Sequence, residues 1–356
     1  MSRLAALHDL CAALRGTPKP ASDWAQVLNL ANVALVTPQL EAAAGDQAPD
    51  ELRPFMREVR LRNRERNRRL HLQLTDAVRA LNAVGIEPTL LKGAALWASV
   101  RPLETSDRMM NDLDVLVRPA EVPRALEALS AAGLNLVNRY DGPEVHVVAE
   151  FGRPQDVGFL DLHQRAPGPP GLAEFEELES LSTPVTWEGV TARVPPPAVQ
   201  LFLMVLHDQF HDGDYWRGGF TLRHLFDIAD LASGPMDWDL VRSLCRTALV
   251  RHALDAQLLA AHRLAGAVVP PRVRRSAWAR LQHARHLAQY RWPQAAAALA
   301  TIGAFSETPA ILAHRKADAA DRRRLFGAGH ETSVHGLSER IGRLRHIMGD
   351  FATGKI

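Results

Sequence analysis

The residues best suited to chemistry are an acidic pair separated by one leucine, Asp112-Leu113-Asp114, which runs on into Val115-Leu116-Val117. On an extended strand, residues two apart point to the same face, so the two carboxylates project together while Leu113, Val115 and Val117 enter apolar packing. Their repulsion is relieved if one stays protonated or if a cation sits between them, and an oxygen donor set suits Mg²⁺. Upstream, the β-like run Leu90-Leu91 ends in Lys92-Gly93 and a helix is expected from Ala94. Such a turn aims free backbone amides and the positive helix end at an anion, with Lys92 as an added point charge. A third acid, Asp161, alternates with apolar residues in Phe159-Leu160-Asp161-Leu162-His163, and His163 shares its face. An anion-binding turn, paired acids and a third strand acid are the parts that metal-assisted phosphoryl transfer requires.

Taken together, these residues resemble the nucleotidyltransferase superfamily of the DNA polymerase β type. Within it the chain resembles the bacterial family of uncharacterised nucleotidyltransferases. That family reads Leu-Lys-Gly, an Arg shortly before an Asp-apolar-Asp pair, and an Asp-apolar-His strand. The matching residues are Leu91-Lys92-Gly93, Arg108, Asp112-Leu113-Asp114 and Asp161-Leu162-His163. A weaker resemblance continues through Pro195 to Pro197 and a helical segment with His207, Arg223 and Asp227, so that it spans roughly residues 55 to 265.

The resemblance implies that Asp112 and Asp114 bind the metals of a nucleoside triphosphate in a two-metal Mg²⁺ site. Asp161 would help hold the second metal and assist deprotonation of the acceptor. Gly93 would allow close approach of the triphosphate, Lys92 and Arg108 would neutralise its charge, and His163 would orient Asp161 or contact substrate. His207, Arg223 and Asp227 would position substrate. The implied reaction is attack of an acceptor oxygen on the α-phosphorus with pyrophosphate leaving, and ATP binding is expected in that sense. Two departures stand out: Ala94 follows Gly93 where the superfamily has Gly or Ser, and the loop Val100 to Met110 lengthens the interval before the acids.

Positioning these groups falls to an ordered series of elements. Residues 1 to 45 show apolar positions at helical spacing interrupted at Pro18 and Pro20, the pattern of short packing helices. A Pro-free and Gly-free stretch after Pro54, ending at Val84 before Gly85, predicts one long helix. Its first half holds Arg53, Arg57, Arg60, Arg62, Arg64, Arg66, Arg68 and Arg69 against Glu51, Glu58 and Glu65. Short β-like runs follow at Ile86 to Leu91, Leu113 to Val117, Leu134 to Arg139, Glu144 to Ala149 and Gly158 to His163, with a helix over Ala120 to Ala132. After a Pro-rich break at Ala166 to Pro170, an acidic helix over Glu174 to Glu179 leads to a hairpin, Pro184 to Val194, turning at Glu188-Gly189. Pro195, Pro196 and Pro197 lack the amide donors a ladder needs, and from Ala198 the pattern is helical. The expected fold is α+β: a small mixed β-sheet nucleotidyltransferase core with flanking helices, N-terminal helices and a C-terminal all-helical domain. The corresponding regions are 1–75, 76–197 and 198–356, and a basic segment from Arg315 to Arg345 is expected as a surface helix or a partly mobile segment.

With 356 residues, 47% apolar and 23% charged, the chain can bury a sizeable core, which excludes disorder as its main state. Cys11 and Cys245 lack the spacing of a disulfide framework or a cysteine zinc site. The apolar stretches are too interrupted to span a membrane, and His8, Asp9 and Arg15 break what would be a signal-peptide core, so a cytoplasmic protein is expected. A net charge of +2 does not by itself announce a nucleic-acid binder. His207 and His211 have the i, i+4 spacing of two metal ligands, but His-Asp-Gln-Phe-His lacks the glutamate of the zinc proteases. Arg223 and Asp227, also four apart, could pair across one helical turn. Motifs for P-loop ATPases, Rossmann dehydrogenases, serine hydrolases and protein kinases are absent. The expected partners are a nucleoside triphosphate and an acceptor, with a small molecule or modified peptide favoured. One alternative is a toxin-like enzyme acting on tRNA or protein, which the Arg-rich helix would suit. Another is a noncatalytic nucleotide-binding protein.

Overall fold

The computed structural model describes residues 2–20, 22–99, 106–141, 145–168, 172–306 and 309–310. The expected basic segment from Arg315 to Arg345 lies outside them, as does most of the Val100 to Met110 loop. Among the described residues, no helix is long and apolar enough to cross a membrane.

Three helices open the chain: α1 (Arg3–Leu14), α2 (Trp24–Val33) and α3 (Thr37–Ala44). Ser2 and Asp23 cap the first two, each side chain accepting from an orphan amide of the first turn. The long helix is α4 (Arg53–Ala83), with Pro54 in its first turn as anticipated and its C-cap at Val84. The mixed seven-stranded sheet follows: β1 (Thr89–Leu90), β2 (Asp112–Leu116), β3 (Asn135–Arg139), β4 (Val147–Gly152), β5 (Phe159–His163), β6 (Thr183–Trp187) and β7 (Val190–Val194), in the order β3-β4-β5-β2-β1-β7-β6. Between strands run α5 (Lys92–Ser99), α6 (Val122–Ala131) and α7 (Phe175–Leu181). The hairpin β6–β7 turns at Glu188 (φ 45°) and Gly189 (φ 76°), both in the left-handed region that a two-residue hairpin turn demands. Helix α5 begins at Lys92, two residues earlier than the sequence suggests, and Lys92 itself has φ 46°.

The sheet has two unlike faces. Leu113, Val115 and Val117 of the β2 segment, with Leu160 and Leu162 of β5, pack against Leu70, Leu74, Ala77, Val78 and Leu81 of α4. Alternation therefore sends Asp112, Asp114 and Leu116 to the other side, where Leu116 joins the core of the helical part. That part continues through α8 (Pro197–Leu206), a π-helical turn (His207–His211), α9 (Asp214–Arg217), α10 (Leu222–Leu231), α11 (Trp238–Leu244) and α12 (Ala248–Ala260). It ends in α13 (Pro271–Arg275), α14 (Ala277–Arg291) and α15 (Ala296–Ser306). Leu7, Leu10, Val27 and Leu40 of the first three helices share one apolar cluster with Phe202, Leu225, Val241 and Leu258. Both ends of the described chain thus build a single helical body on the acid-bearing face of the sheet.

Candidate functional site

Register decides which acids meet. Strands β2 and β5 run parallel, with Asp112 opposite Phe159, Asp114 opposite Asp161 and Leu116 opposite His163. Their leading ends are tied from α4: the Arg66 guanidinium donates to the carbonyls of Met110 and Val157, and Gln73 donates to the carbonyl of Gly158 at 2.9 Å. Gly158 lets the strands close up, since a Cβ there would lie 2.6 Å from the carbonyl oxygen of Asn111.

Asp114 is buried, and one of its oxygens, Oδ1, receives both Lys92 Nζ at 2.7 Å and His163 Nε2 at 2.9 Å. Burial alone would push its carboxyl up, but the Lys92 ammonium and the His163 hydrogen bond outweigh burial and hold it well below the usual carboxylate range. Lys92 is pulled down by desolvation and up by Asp114 and Asp112, and the carboxylates prevail. Asp161 responds in the opposite sense. Burial, then the negative charges of Asp114 and Asp112, push it up to about 7, with only partial relief from Lys92. His163 is buried, and desolvation keeps its pKa below the ordinary value despite Asp114. The sequence puts His163 on the face of Asp161; its hydrogen bond goes to Asp114 on the adjacent strand. Ligand atoms of Asp114, Asp161 and His163 lie within 4.8 Å of one another, and Asp112, half-buried, stands on the same face one pleat away.

The turn at Lys92-Gly93 is covered by the chain's own residues. A Cβ on Gly93 would lie 2.0 Å from Met110 Sδ and 2.7 Å from Arg108 Nη1. Arg108 is buried and donates through Nε to Asp227 Oδ2 at 2.8 Å, which itself is fully buried. A charge-assisted bond of this kind, out of water, fixes both partners firmly. Arg108 therefore sits with one edge on α10 and the other beside the turn.

With the acids, the turn and the flanking cation in place, comparison with known proteins settles the lineage: the family described as uncharacterised nucleotidyltransferase matches over residues 20–266. The chain belongs to that family. It is a nucleotidyltransferase, and the acid-bearing strands and the turn all lie inside the matched span. A solved structure of the antibiotic-resistance factor ANT(2'')-Ia is similar at 14% identity over 63% of this chain and 98% of its own, with a TM-score of 0.32, a likeness too distant to carry weight. No curated protein matches the chain.

Several groups of this nucleotidyltransferase were not signalled by local spacing. Residues 106–110, which lead into β2, are strapped to α4: Arg60 Nε and Arg64 Nε donate to Asp107 Oδ1 at 2.8 and 2.9 Å, and Asn67 donates to the Arg108 carbonyl at 2.9 Å. From α10, Arg223 Nη1 donates to the Met109 carbonyl at 3.0 Å. The helix that reads as a charge stripe thus spends Arg60, Arg64 and Arg66 on the approach to the acids. Glu150 faces Asp161 in the β4–β5 register and accepts from Asn138 Nδ2 at 2.6 Å and Tyr140 Oη at 2.8 Å. A register shift between Val147 and Ala149 breaks the simple alternation of that strand, which hides Glu150 from a period-two reading. Asp208, wholly buried, accepts from His224 Nδ1 at 2.7 Å and Gln257 Nε2 at 2.6 Å, an interior knot between α10, α12 and the π turn. His207 would be lowered by burial, but its contacts with Asp208 and Asp212 raise it to about 9.

Proposed function

We propose that the protein transfers a nucleoside monophosphate from a nucleoside triphosphate to an acceptor oxygen, with Mg²⁺ held by Asp112, Asp114 and Asp161. The observation that carries this reading is the register of Asp114 against Asp161. It puts Asp161 beside the other carboxylates in a place where burial first, and then their negative charge, push it up to about 7, while Asp114 is held by Lys92 as a counter-cation. Three oxygen donors on one sheet face, short of positive charge, fit a pair of hard divalent cations. When bound, those ions would polarise the α-phosphate and steady the departing pyrophosphate.

The chain's own groups supply the rest. The acceptor oxygen forms its bond to the α-phosphorus as the bond to the bridging oxygen of the β-phosphate breaks, and the acceptor proton passes to an Asp161 carboxylate oxygen. Lys92, at the turn beside Asp114, would offer its ammonium to the triphosphate as a point charge. Gly93 leaves room for phosphate once Met110 moves aside, and Arg108 adds positive charge from its Nη1 edge while Asp227 keeps it fixed. His163 orients Asp114. Arg223 and Asp227 act as positioning residues through the 106–110 segment, and His207 stands on the helical wall toward the acceptor.

A small-molecule or modified-peptide acceptor is favoured over RNA because Arg60, Arg64 and Arg66 are engaged by Asp107 and backbone carbonyls and the exposed Arg62 and Arg68 pair with Glu58 and Glu65, which reduces the free basic stripe a polyanion needs. Incubating the purified protein with each α-labelled nucleoside triphosphate, Mg²⁺ and cell extract tests both points. Label on a small molecule or peptide with pyrophosphate released is the expected result. Label on tRNA would transfer the reading to an RNA-modifying enzyme, and no Mg²⁺-dependent label in any fraction would overturn it.

A further inference from the structure

The π turn that ends α8 carries imidazoles that the nucleotidyl-transfer reading leaves largely unused. His207 and His211 lie four apart in a turn widened so that the amide of Asp212 donates to the carbonyl of His207 at 2.9 Å, an i→i+5 bond. Such insertions in helices recur at functional sites. The widening brings three donors together: a ring nitrogen of each histidine and a carboxylate oxygen of Asp212 all lie within 4.8 Å of one another. His207 Nδ1 faces carboxylate oxygens rather than one settled hydrogen-bond acceptor, 3.2 Å from Asp212 Oδ2 and 3.5 Å from Asp208 Oδ1. The two rings are 5.2 Å apart between centroids, and the His146 ring meets His211 edge-on at 4.6 Å.

We propose that His207, His211 and Asp212 form a second metal site, separate from the three acids, that takes a borderline divalent ion of the Zn²⁺ class. Two imidazoles and one carboxylate with a fourth position open is a donor set that Zn²⁺ accepts, whereas Mg²⁺ prefers oxygen ligands throughout. Metal–ligand bonds of about 2.0–2.2 Å place ligand atoms some 4 Å apart at most, so the observed spread closes with side-chain movements of under about an ångström. His207 could instead be grouped with Asp208 and His224, but those two are buried, bonded to each other and, through Asp208, to Gln257. His211 is exposed, and the Asp212 side chain keeps 36% of its surface, so an ion has a way in only on that side. The site adjoins the catalytic face: His146, against His211, lies 5.6 Å from the ring of His163, which bonds Asp114. An ion here presents its open position beside the cleft. The three donors all come from the helical turn, so ion binding there does not depend on the function of the strand acids.

The test is a Co²⁺ titration of chelator-stripped full-length protein in excess Mg²⁺, which occupies oxygen-only sites without competing strongly for imidazole. The expected result is one equivalent bound with the intense visible absorption of four-coordinate Co²⁺, displaced by Zn²⁺. His211→Ala should weaken Co²⁺ binding by on the order of 10²-fold, as expected for the loss of one of three protein ligands. Asp212→Asn, nearly isosteric and at the surface, should weaken it as well, which covers the case in which the alanine variant folds poorly. Asp112→Asn should leave it unchanged. Wild-type protein without the visible band, unweakened binding in both His211→Ala and Asp212→Asn, or loss of the band in Asp112→Asn would each overturn the assignment. The last outcome would mean that the ion sits among the strand acids.

Discussion

Substituting Gly93→Ala perturbs the turn by one methyl group whose surroundings are known. The new carbon would stand 2.0 Å from Met110 Sδ, 2.7 Å from Met110 Cε and 2.7 Å from Arg108 Nη1, all well inside contact distance. Arg108 cannot yield easily, because its Nε is bound to the fully buried Asp227 at 2.8 Å and its own carbonyl is held by Asn67. Met110 must give way instead; its side chain is flexible, but Arg66 holds its carbonyl. Forcing a methyl into so filled a space costs about 1–3 kcal/mol. Urea unfolding should show a lower midpoint with an unchanged slope, because the surface exposed on unfolding is the same. Met110→Ala removes the sulfur and terminal methyl that clash, so Gly93→Ala should cost less in that background than in wild type, although Met110→Ala by itself loses the packing of a buried side chain. In nucleotide titrations Gly93→Ala should raise KM for the triphosphate and the double variant should not restore it, because the alanine methyl then faces phosphate. A Gly93→Ala protein as stable as wild type, or a Gly93→Ala cost that is the same with and without Met110→Ala, would refute the claim that Met110 fills the turn.

Other perturbations have equally definite outcomes. Lys92→Met leaves Asp114 as a buried carboxylate with His163 alone and should cost on the order of 3–5 kcal/mol in chemical denaturation; a neutral result would mean that the ion pair does not form. Asp112→Asn and Asp161→Asn should each lower turnover by about 10³-fold while circular dichroism stays unchanged, measured as pyrophosphate release under saturating Mg²⁺. His286, buried with Nε2 3.0 Å from the Tyr215 carbonyl, is lowered to about 3 by burial and then by Arg285. Its folded pKa lies below the unfolded value of 6.5, so the unfolded state binds the proton first. The stability contributed by the neutral ring is therefore complete above pH 6.5 and is lost as pH falls toward about 3. Denaturant midpoints should drop across that window, and His286→Asn should flatten the drop. Removing divalent ions with a chelator should abolish label transfer, and adding Mg²⁺ back should restore it.

What the sequence reveals and what it conceals divide along the range of the interactions. The alternation of Asp112, Leu113, Asp114 and Val115 determines which side of the sheet carries the acids, and the structure follows it, although the helical body covers that side and buries Asp114. The turn at Glu188-Gly189 and the helix from Pro54 onward are likewise local, and they form where expected. The partner of His163 is another matter. Its face is fixed by period two, but the carboxylate it meets depends on how β2 lies beside β5, and no feature within either strand states that register. The arginines of α4 divide in the same way: Arg62 and Arg68 form the solvated part of the helix that their spacing suggests, while Arg66 binds carbonyls 44 and 91 positions away, which no local pattern states. The His207 and His211 pair is visible as a spacing, but the widened turn that adds Asp212 is not, since an i→i+5 insertion has no periodic signature. The sharing of one apolar cluster by the first three and the later helices also leaves no mark on either segment by itself.

That shared cluster restricts how the protein can be taken apart. Leu7, Leu10, Val27 and Leu40 plug a surface that belongs to α8, α10 and α12, so exchanging the later helices for those of a relative would leave a hole shaped for the original opening segment. Recombinants that draw both ends from one parent should remain soluble, whereas chimeras mixing parents should aggregate, even when every residue around the acids is retained.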